Sequence, residues 1–489
     1  MLNRFAFGPR PGQVEEVARQ GLETWMEQQL RGNLPSPQLD RLLMQIPEQS
    51  DGLRLSQRKL VRAVYSPNQV HEVLSDFWFN HFNVSLTADR CRPHVAAYER
   101  EAIQPQALGQ FRALLESTAH HPAMLYYLDN ALSTADQAVA EEPMEMGSDP
   151  MGYSARSRFE KPRTGKARPK QGGLNENYAR ELLELHTLGV DGGYRQDDVR
   201  EVARAFTGWT VQSADKVSRF VFRPESHDKQ AKRVLYTTIA GGAEDEGEKI
   251  LDILAAHPST ARFISKKFVV RFVSDHPPAA LVEQVRKAFL RSRGDTREMV
   301  WAILEAPEFW SEGVRRSKVK TPFELQASAL RILDAQLQPT SSVVHQLAQM
   351  GQECYSCRPP TGYPDRADYW ISPGNMLMRM AFALELGTGR SPGVKVDLKK
   401  LKPEKPAATP QKALQAYAEL ILPGRDLHST EDLLMQAVLD PDYVQKVTEA
   451  RKSRGKMPKP NPKGKVEMND QLVTKLVGLL LGCPEFQRR

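Results

Sequence analysis

Apolar residues recur every three or four positions along most of this chain, the period of helices that bury one face. The pattern predicts a helix pair over Pro11–Leu30 broken at Gly21, then helices over Leu53–Tyr65, His71–Val84 and Pro93–Ser117, with a short one starting at His121. A helix-turn-helix follows over Leu174–Thr210. Helices then resume at Asp245–Ala255, Pro258–Val273, Pro278–Ser292, Thr296–Ala306, Pro322–Leu337 and Pro373–Leu386. A last group runs over Gln411–Leu422, Ser429–Leu439, Tyr443–Arg451 and Asp470–Leu481. The period shifts toward two only at Val217–Phe222 and Arg233–Thr238, which read as one small hairpin joined through 223–228. The expected fold is mainly α: a multi-helix orthogonal assembly with a small β-hairpin insertion. Residues 1–390 form the main domain, 391–410 a Pro/Lys linker, and 411–489 a C-terminal helical extension of the same fold. No internal repeat of fixed period is present.

Two stretches break the pattern. Residues 133–173 and 451–467 have little apolar periodicity, and their composition cannot bury enough surface to offset ordering entropy, so both are expected to be disordered. They also change the meaning of the net charge of +7. Each holds a cluster of seven Lys/Arg against one Glu, so the rest of the chain is slightly acidic. Nucleic acid is therefore not the expected partner. No apolar run is long enough to span a bilayer, and the first residues lack the apolar core of an export signal. Of four cysteines, Cys354 and Cys357 form a Cys-x-x-Cys without a second pair, which reads as a loop with two thiols, or as a disulfide if the protein is exported.

Candidate chemistry concentrates on two helices. In Leu174–Gly189 a helical period puts Asn177, Glu181 and Glu184 on one face, next to Arg180, with His186 roughly opposite. In His71–Val84, Glu72, Asp76, Asn80 and Asn83 share a face, while Phe77, Trp78, Phe79 and Phe82 surround it. So aromatic a helix is buried, and its polar stripe needs partners. If the two stripes pack face to face, Asp76, Asn177, Glu181 and Glu184 can hold a divalent metal, and the paired carboxylates can work as acid and base. The plain alternative is a buried hydrogen-bond network around Arg180 that fixes helix register. The candidate catalytic groups are Glu181, Glu184, His81 and His227. The candidate binding groups are Asn80, Asn83, Arg180, Trp78 and Trp209. The loop Pro359–Pro364 reads as a pocket wall or a structural crossing. A P-loop, Gly-x-Ser-x-Gly, His-Glu-x-x-His and dinucleotide fingerprint are all absent.

Several pieces together resemble a bacterial family, domain of unknown function 1800. They are Leu2-Asn3-Arg4-Phe5-Ala6-Phe7-Gly8-Pro9, Phe77 to Asn83, Tyr127-Leu128-Asp129-Asn130, Asn175 to Gly189 and Ala203 to Trp209. Pro359 to Pro364 with Trp370, and Pro484-Glu485-Phe486, match as well. The resemblance covers nearly the whole chain. It implies a mostly helical fold and export to the periplasm or beyond. It also implies a genomic neighbour similar to alkaline phosphatases and sulfatases. The chain departs from the family in the long insertion before Leu174 and in Arg195, where a capping Thr is usual; Gln196 or Asp197 is left to cap. The functional expectation is an exported protein with an acidic, metal-capable cleft acting on an extracellular polymer. The alternative is a non-catalytic binding or assembly partner of the phosphatase-like neighbour.

Overall fold

One start signal recurs along the chain: a polar residue followed by proline. Ser36-Pro37, His121-Pro122, His257-Pro258, Thr321-Pro322, Ser372-Pro373 and Thr409-Pro410 all open helices. In each, the polar side chain accepts a hydrogen bond from an N–H of the first turn, and proline costs nothing where no N–H bond is due. The computed structural model describes residues 1–48, 51–135, 173–214, 217–338, 343–403, 407–427, 429–462 and 468–489. The fold is mainly α, with only two-stranded antiparallel sheets among the described residues. One contiguous hydrophobic core runs from Leu2 to Phe486.

The β content differs from the expected single hairpin. Val217–Phe222 pairs with Trp209–Ala214, and Lys232–Val234 pairs with Thr237–Ile239. Leu235 and Tyr236, both at positive φ, turn the second hairpin, so it closes within its own residues. A third small sheet joins Gln336–Leu337 to Val394–Lys395, inside the segment read as a linker.

Two stretches read as regular helix are not. Arg92–Gln106 passes through a 3-10 turn, an α turn, a π-helical turn over Glu99–Ile103 and another 3-10 turn before Phe111–Ala119. The central helix is α only over Asn177–Glu181 and becomes a π-helix over Leu182–Thr187. There Thr187 Oγ1 donates to Leu182 O at 2.6 Å, and Leu188 N–H reaches Leu183 O at 2.9 Å. The wider turn changes which side chains share a face beyond Leu182. The second central helix, Gln196–Ala205, is not capped by Gln196 or Asp197. The Asp198 carboxylate accepts from Arg195 N–H at 2.8 Å and from Leu235 N–H at 2.8 Å, tying the helix start to the second hairpin.

Close backbone approaches set the remaining packing. A Cβ on Gly247 would lie 2.2 Å from the Trp209 ring, so only glycine lets Asp245–Ala256 rest on that indole. A Cβ on Gly387 would meet Gly478 N at 2.4 Å, where Pro373–Gly387 crosses Asp470–Gly482. The C-terminal residues return to the main body: Lys320 N–H donates to Gln487 O and Arg489 N–H to Lys318 O, both at 2.8 Å.

Of the two segments expected to be disordered, 136–172 and 463–467 lie outside the described residues. The ends of the first meet: Gly173 N–H donates to Thr134 Oγ1 at 2.9 Å, and Asn175 N–H to Ser133 Oγ at 3.1 Å. Within the second, Arg451 pairs with Glu385 at 2.7 Å, and Asn461 N–H donates to Asp440 at 2.8 Å.

Candidate functional site

The aromatic helix Gln69–His81 lies buried, as its composition requires, and its polar stripe is fully partnered. The partners are not the central helix. Asp76 accepts from Lys59 Nζ at 2.7 Å and Arg271 Nη2 at 3.3 Å. Arg271 also reaches Glu324 at 2.9 Å and Asp365 at 3.4 Å, and Glu324 is shared with Arg489 at 2.9 Å. At the other end Lys59 approaches Glu99, which pairs with Arg62 at 2.6 Å and accepts from Tyr355 OH at 2.8 Å. Glu72 faces Arg62 at 3.5 Å. Burial pushes Asp76, Glu99 and Glu324 up, but the surrounding Lys and Arg groups win and hold all three carboxyls below their ordinary values.

Asn80 and Asn83 work on the loop Pro359–Pro364. Asn80 donates to Tyr363 O at 2.8 Å and accepts from Tyr363 N–H at 2.7 Å. Asn83 donates to Cys357 O at 3.0 Å and Pro359 O at 2.9 Å. The loop is thus a wall pinned to the helix, and Trp370 Nε1 secures its far end on Pro364 O at 3.0 Å. Between wall and helix is a cavity of about 40 Å³ touched by Lys59, Asp76, Asn80, Arg271, Cys354 and Asp365. That space admits water or one small ion, not a polymer unit. All four cysteines are free and buried.

The expected face-to-face meeting of the stripes is therefore not what brings the two helices together. They touch through histidines. His81 Nδ1 accepts from Lys267 Nζ at 2.9 Å, and its Nε2 donates to His186 O at 3.0 Å. Burial drives His81 well below the usual histidine value and His186 to about 3. Trp78 donates to Ala107 O at 3.2 Å in the core, and Trp209 lies buried against Phe206. His227 sits elsewhere, with Nδ1 on Thr207 O at 2.8 Å and Nε2 at 3.4 Å from Glu246, which also pairs with Lys232. Asp228 forms a two-pronged pair with Arg204 beside it.

Glu181 and Glu184 remain, and their surroundings differ. Both are half-buried, and among the described residues neither has a Lys or Arg at ion-pair distance. Arg180 turns instead to Glu176 at 3.0 Å and Gln196 at 3.1 Å. Tyr194 OH lies 3.4 Å from Glu184 Oε2. Burial, then repulsion from Glu184, raises Glu181 despite Arg180. Glu181 is also close enough to act on the Tyr127 phenol, which bonds Arg358 O at 2.6 Å and lies 3.5 Å from Asn83 Nδ2. Tyr127 thus stands between Asn83 of one predicted stripe and the field of Glu181 of the other. Asn177 is exposed at the start of the helix.

A further group escaped the sequence reading. Glu116, His120 and Glu248 bring three ligand atoms within 4.8 Å of one another. Glu116 and His120 stand four apart on one helix, a spacing that signals a shared face. Arg112 already pairs with both carboxylates of the group, reaching Glu116 at 2.8 Å and Glu248 at 2.7 Å, and with Asp252 at 2.5 Å, while His120 Nε2 lies 2.8 Å from Glu248.

These features define a mainly helical protein with a charge-paired interior and, among the described residues, a half-buried carboxylate pair with no Lys or Arg at ion-pair distance. The chain belongs to the family described as protein of unknown function (DUF1800), whose model matches residues 1–488. No curated protein and no solved structure matches it. No described helix is long and apolar enough to cross a membrane.

Proposed function

We propose that Glu181 and Glu184 are the working acidic centre, binding a divalent cation, in a protein that acts on a polymer in the periplasm or outside the cell. The observation that carries this reading is the neighbouring carboxylate pair without a cationic partner, with Glu181 raised by burial and by Glu184. Among the described residues the fully buried carboxylates Glu99, Glu246, Glu324 and Asp440 are each paired with Lys or Arg, so this pair is conspicuous. Two carboxylate oxygens, with the Asn177 carboxamide one turn away, suit a hard cation that keeps several waters. Asp76 leaves the proposed ligand set, since coordination there would strip Lys59 and Arg271 of their partner. Without a cation the same pair supplies a raised carboxyl able to donate a proton. Export and the polymer substrate rest on the family resemblance.

Calorimetric titration with Ca²⁺, Mg²⁺, Mn²⁺ and Zn²⁺ tests the centre. At least one cation should bind, and Glu181→Gln with Glu184→Gln should weaken it about tenfold or more while far-UV helicity holds. Absence of binding by all four would sink the cation reading.

A second reading has its own observation. Tyr369 and Ile371 are about half exposed on either side of buried Trp370, on the segment that continues the pinned loop. Such a pair suits docking to an alkaline phosphatase- or sulfatase-like partner without catalysis by this chain.

A further inference from the structure

On the side formed by the N-terminal helices, the loop after Pro307–Trp310 and the segment 423–427 lies a second cavity, of about 670 Å³, within the range of small-molecule sites. It shares no residue with the carboxylate pair. Its walls divide by chemistry. Val14, Leu22 and Trp310 expose 39%, 37% and 48% of their surface there, backed by Val17 and Phe309. The lining also holds five arginines, Arg4, Arg315, Arg316, Arg425 and Arg489, and no Asp or Glu among the described residues.

Among the described residues only one of the five forms an ion pair, although Glu324 and Asp275 attract Arg4 and Glu485 attracts Arg425 from further away. Arg4 spends its guanidinium on the carbonyls of Phe272, Val273 and Val314. Arg316 donates to Gly424 O. Arg489 has the one carboxylate, Glu324, yet its buried Nε has no partner in a residue only 4% exposed. The Nη1 of Arg425 is buried and unpartnered too. Burial, then repulsion from Arg316, lowers Arg425 to about 10, and burial followed by Arg489 lowers Arg4 to about 9. Guanidinium groups gathered at a cavity with few protein acceptors favour an anionic ligand, and the planar fork matches carboxylate and phosphate oxygens.

We propose that this cavity binds an amphiphilic oxyanion, its phosphate, sulfate or carboxylate head on Arg425, Arg315 and Arg489 and its apolar part against Val14, Leu22 and Trp310. The anion adds acceptors for the guanidinium groups that line the cavity, where the protein itself supplies few. The tail covers apolar surface that otherwise faces water.

Calorimetry on the full chain with four probes tests this: octyl phosphate, octanoate, inorganic phosphate and octanol. Octyl phosphate or octanoate should bind about tenfold or more tightly than inorganic phosphate and octanol, and the tighter of the two names the headgroup. Arg315→Glu with Arg425→Gln should weaken that binding about tenfold or more, with the melting temperature near that of the parent. Arg315 is exposed and its side chain makes no bond among the described residues, so Arg315→Glu alone serves if the double variant does not fold. Leu22→Gln should weaken the octyl probe and leave inorganic phosphate unchanged. Failure of both amphiphiles to bind, equal binding by the arginine variants, or octanol binding as tightly as the anions would overturn the proposal.

Discussion

Lys267 donates to His81 Nδ1 at 2.9 Å, an arrangement that keeps the imidazole neutral and its Nε2 hydrogen on His186 O. Burial lowers Lys267 to about 8, so the ring and the amine share a site that resists a second charge. His186, at about 3, and His121, pulled by burial to about 4, resist protonation as well. Each ordinary histidine titrates near 6.5. The unfolded chain therefore takes protons that the fold refuses, and stability falls as pH drops below about 6.5. The depressed carboxyls of Asp76, Glu99 and Glu324 add a second loss, which sets in only below their ordinary values of 3.8 to 4.5. Urea unfolding followed from pH 7.5 to 5 should show a steady decline; a flat profile would contradict the neutral-histidine assignment.

The buried ion pairs predict an asymmetric mutational response. Lys59→Met or Arg271→Met leaves a carboxylate buried without its cation, and each should cost about 3–5 kcal/mol. Lys59→Met combined with Asp76→Leu removes both charges and should recover part of that loss. Denaturant midpoints of the three variants decide it, and a double variant no more stable than Lys59→Met alone would refute the pairing.

Glu181 behaves in the opposite sense. Its folded value is raised, so it stabilises only while protonated, and that contribution is lost as pH rises past the ordinary 4.5. At pH 7 Glu181→Gln should leave the melting temperature unchanged or higher. A clear drop would mean that the carboxylate has a cationic partner in solution.

Asn83 predicts a reactivity change. Without its two donated bonds the Cys357–Pro359 carbonyls lose their anchor, at a cost of about 1–3 kcal/mol for each buried group left unpaired. Asn83→Ala should speed alkylation of Cys357, a buried thiol at the head of the loop, as read by mass spectrometry. Cys483, buried far along the chain, is the internal control and should keep its parent rate.

The sequence made legible what local chemistry decides. Proline after a polar cap announced helix starts at His257, Thr321 and Ser372, and aromatic density announced the burial of Gln69–His81. It also showed that the stripe on that helix needed partners. Their identity was not readable, because Lys59, Arg271 and the loop 357–364 reach Asp76, Asn80 and Asn83 through tertiary packing that no local spacing encodes. The π-turn at Leu182–Thr187 escaped because a wheel drawn at the α period assumes the geometry it is meant to test. Five arginines drawn from positions 4, 315, 316, 425 and 489 leave no mark in any window of sequence.

The ion-pair chain that begins at Lys59 and runs through Asp76, Arg271 and Glu324 ends on Arg489. During synthesis its first carboxylate emerges long before its last cation. Until residue 489 is free of the ribosome, Glu324 has Arg271 but lacks its second guanidinium partner. Completing this network is thus a long-range step, which comes later than the local helices around it.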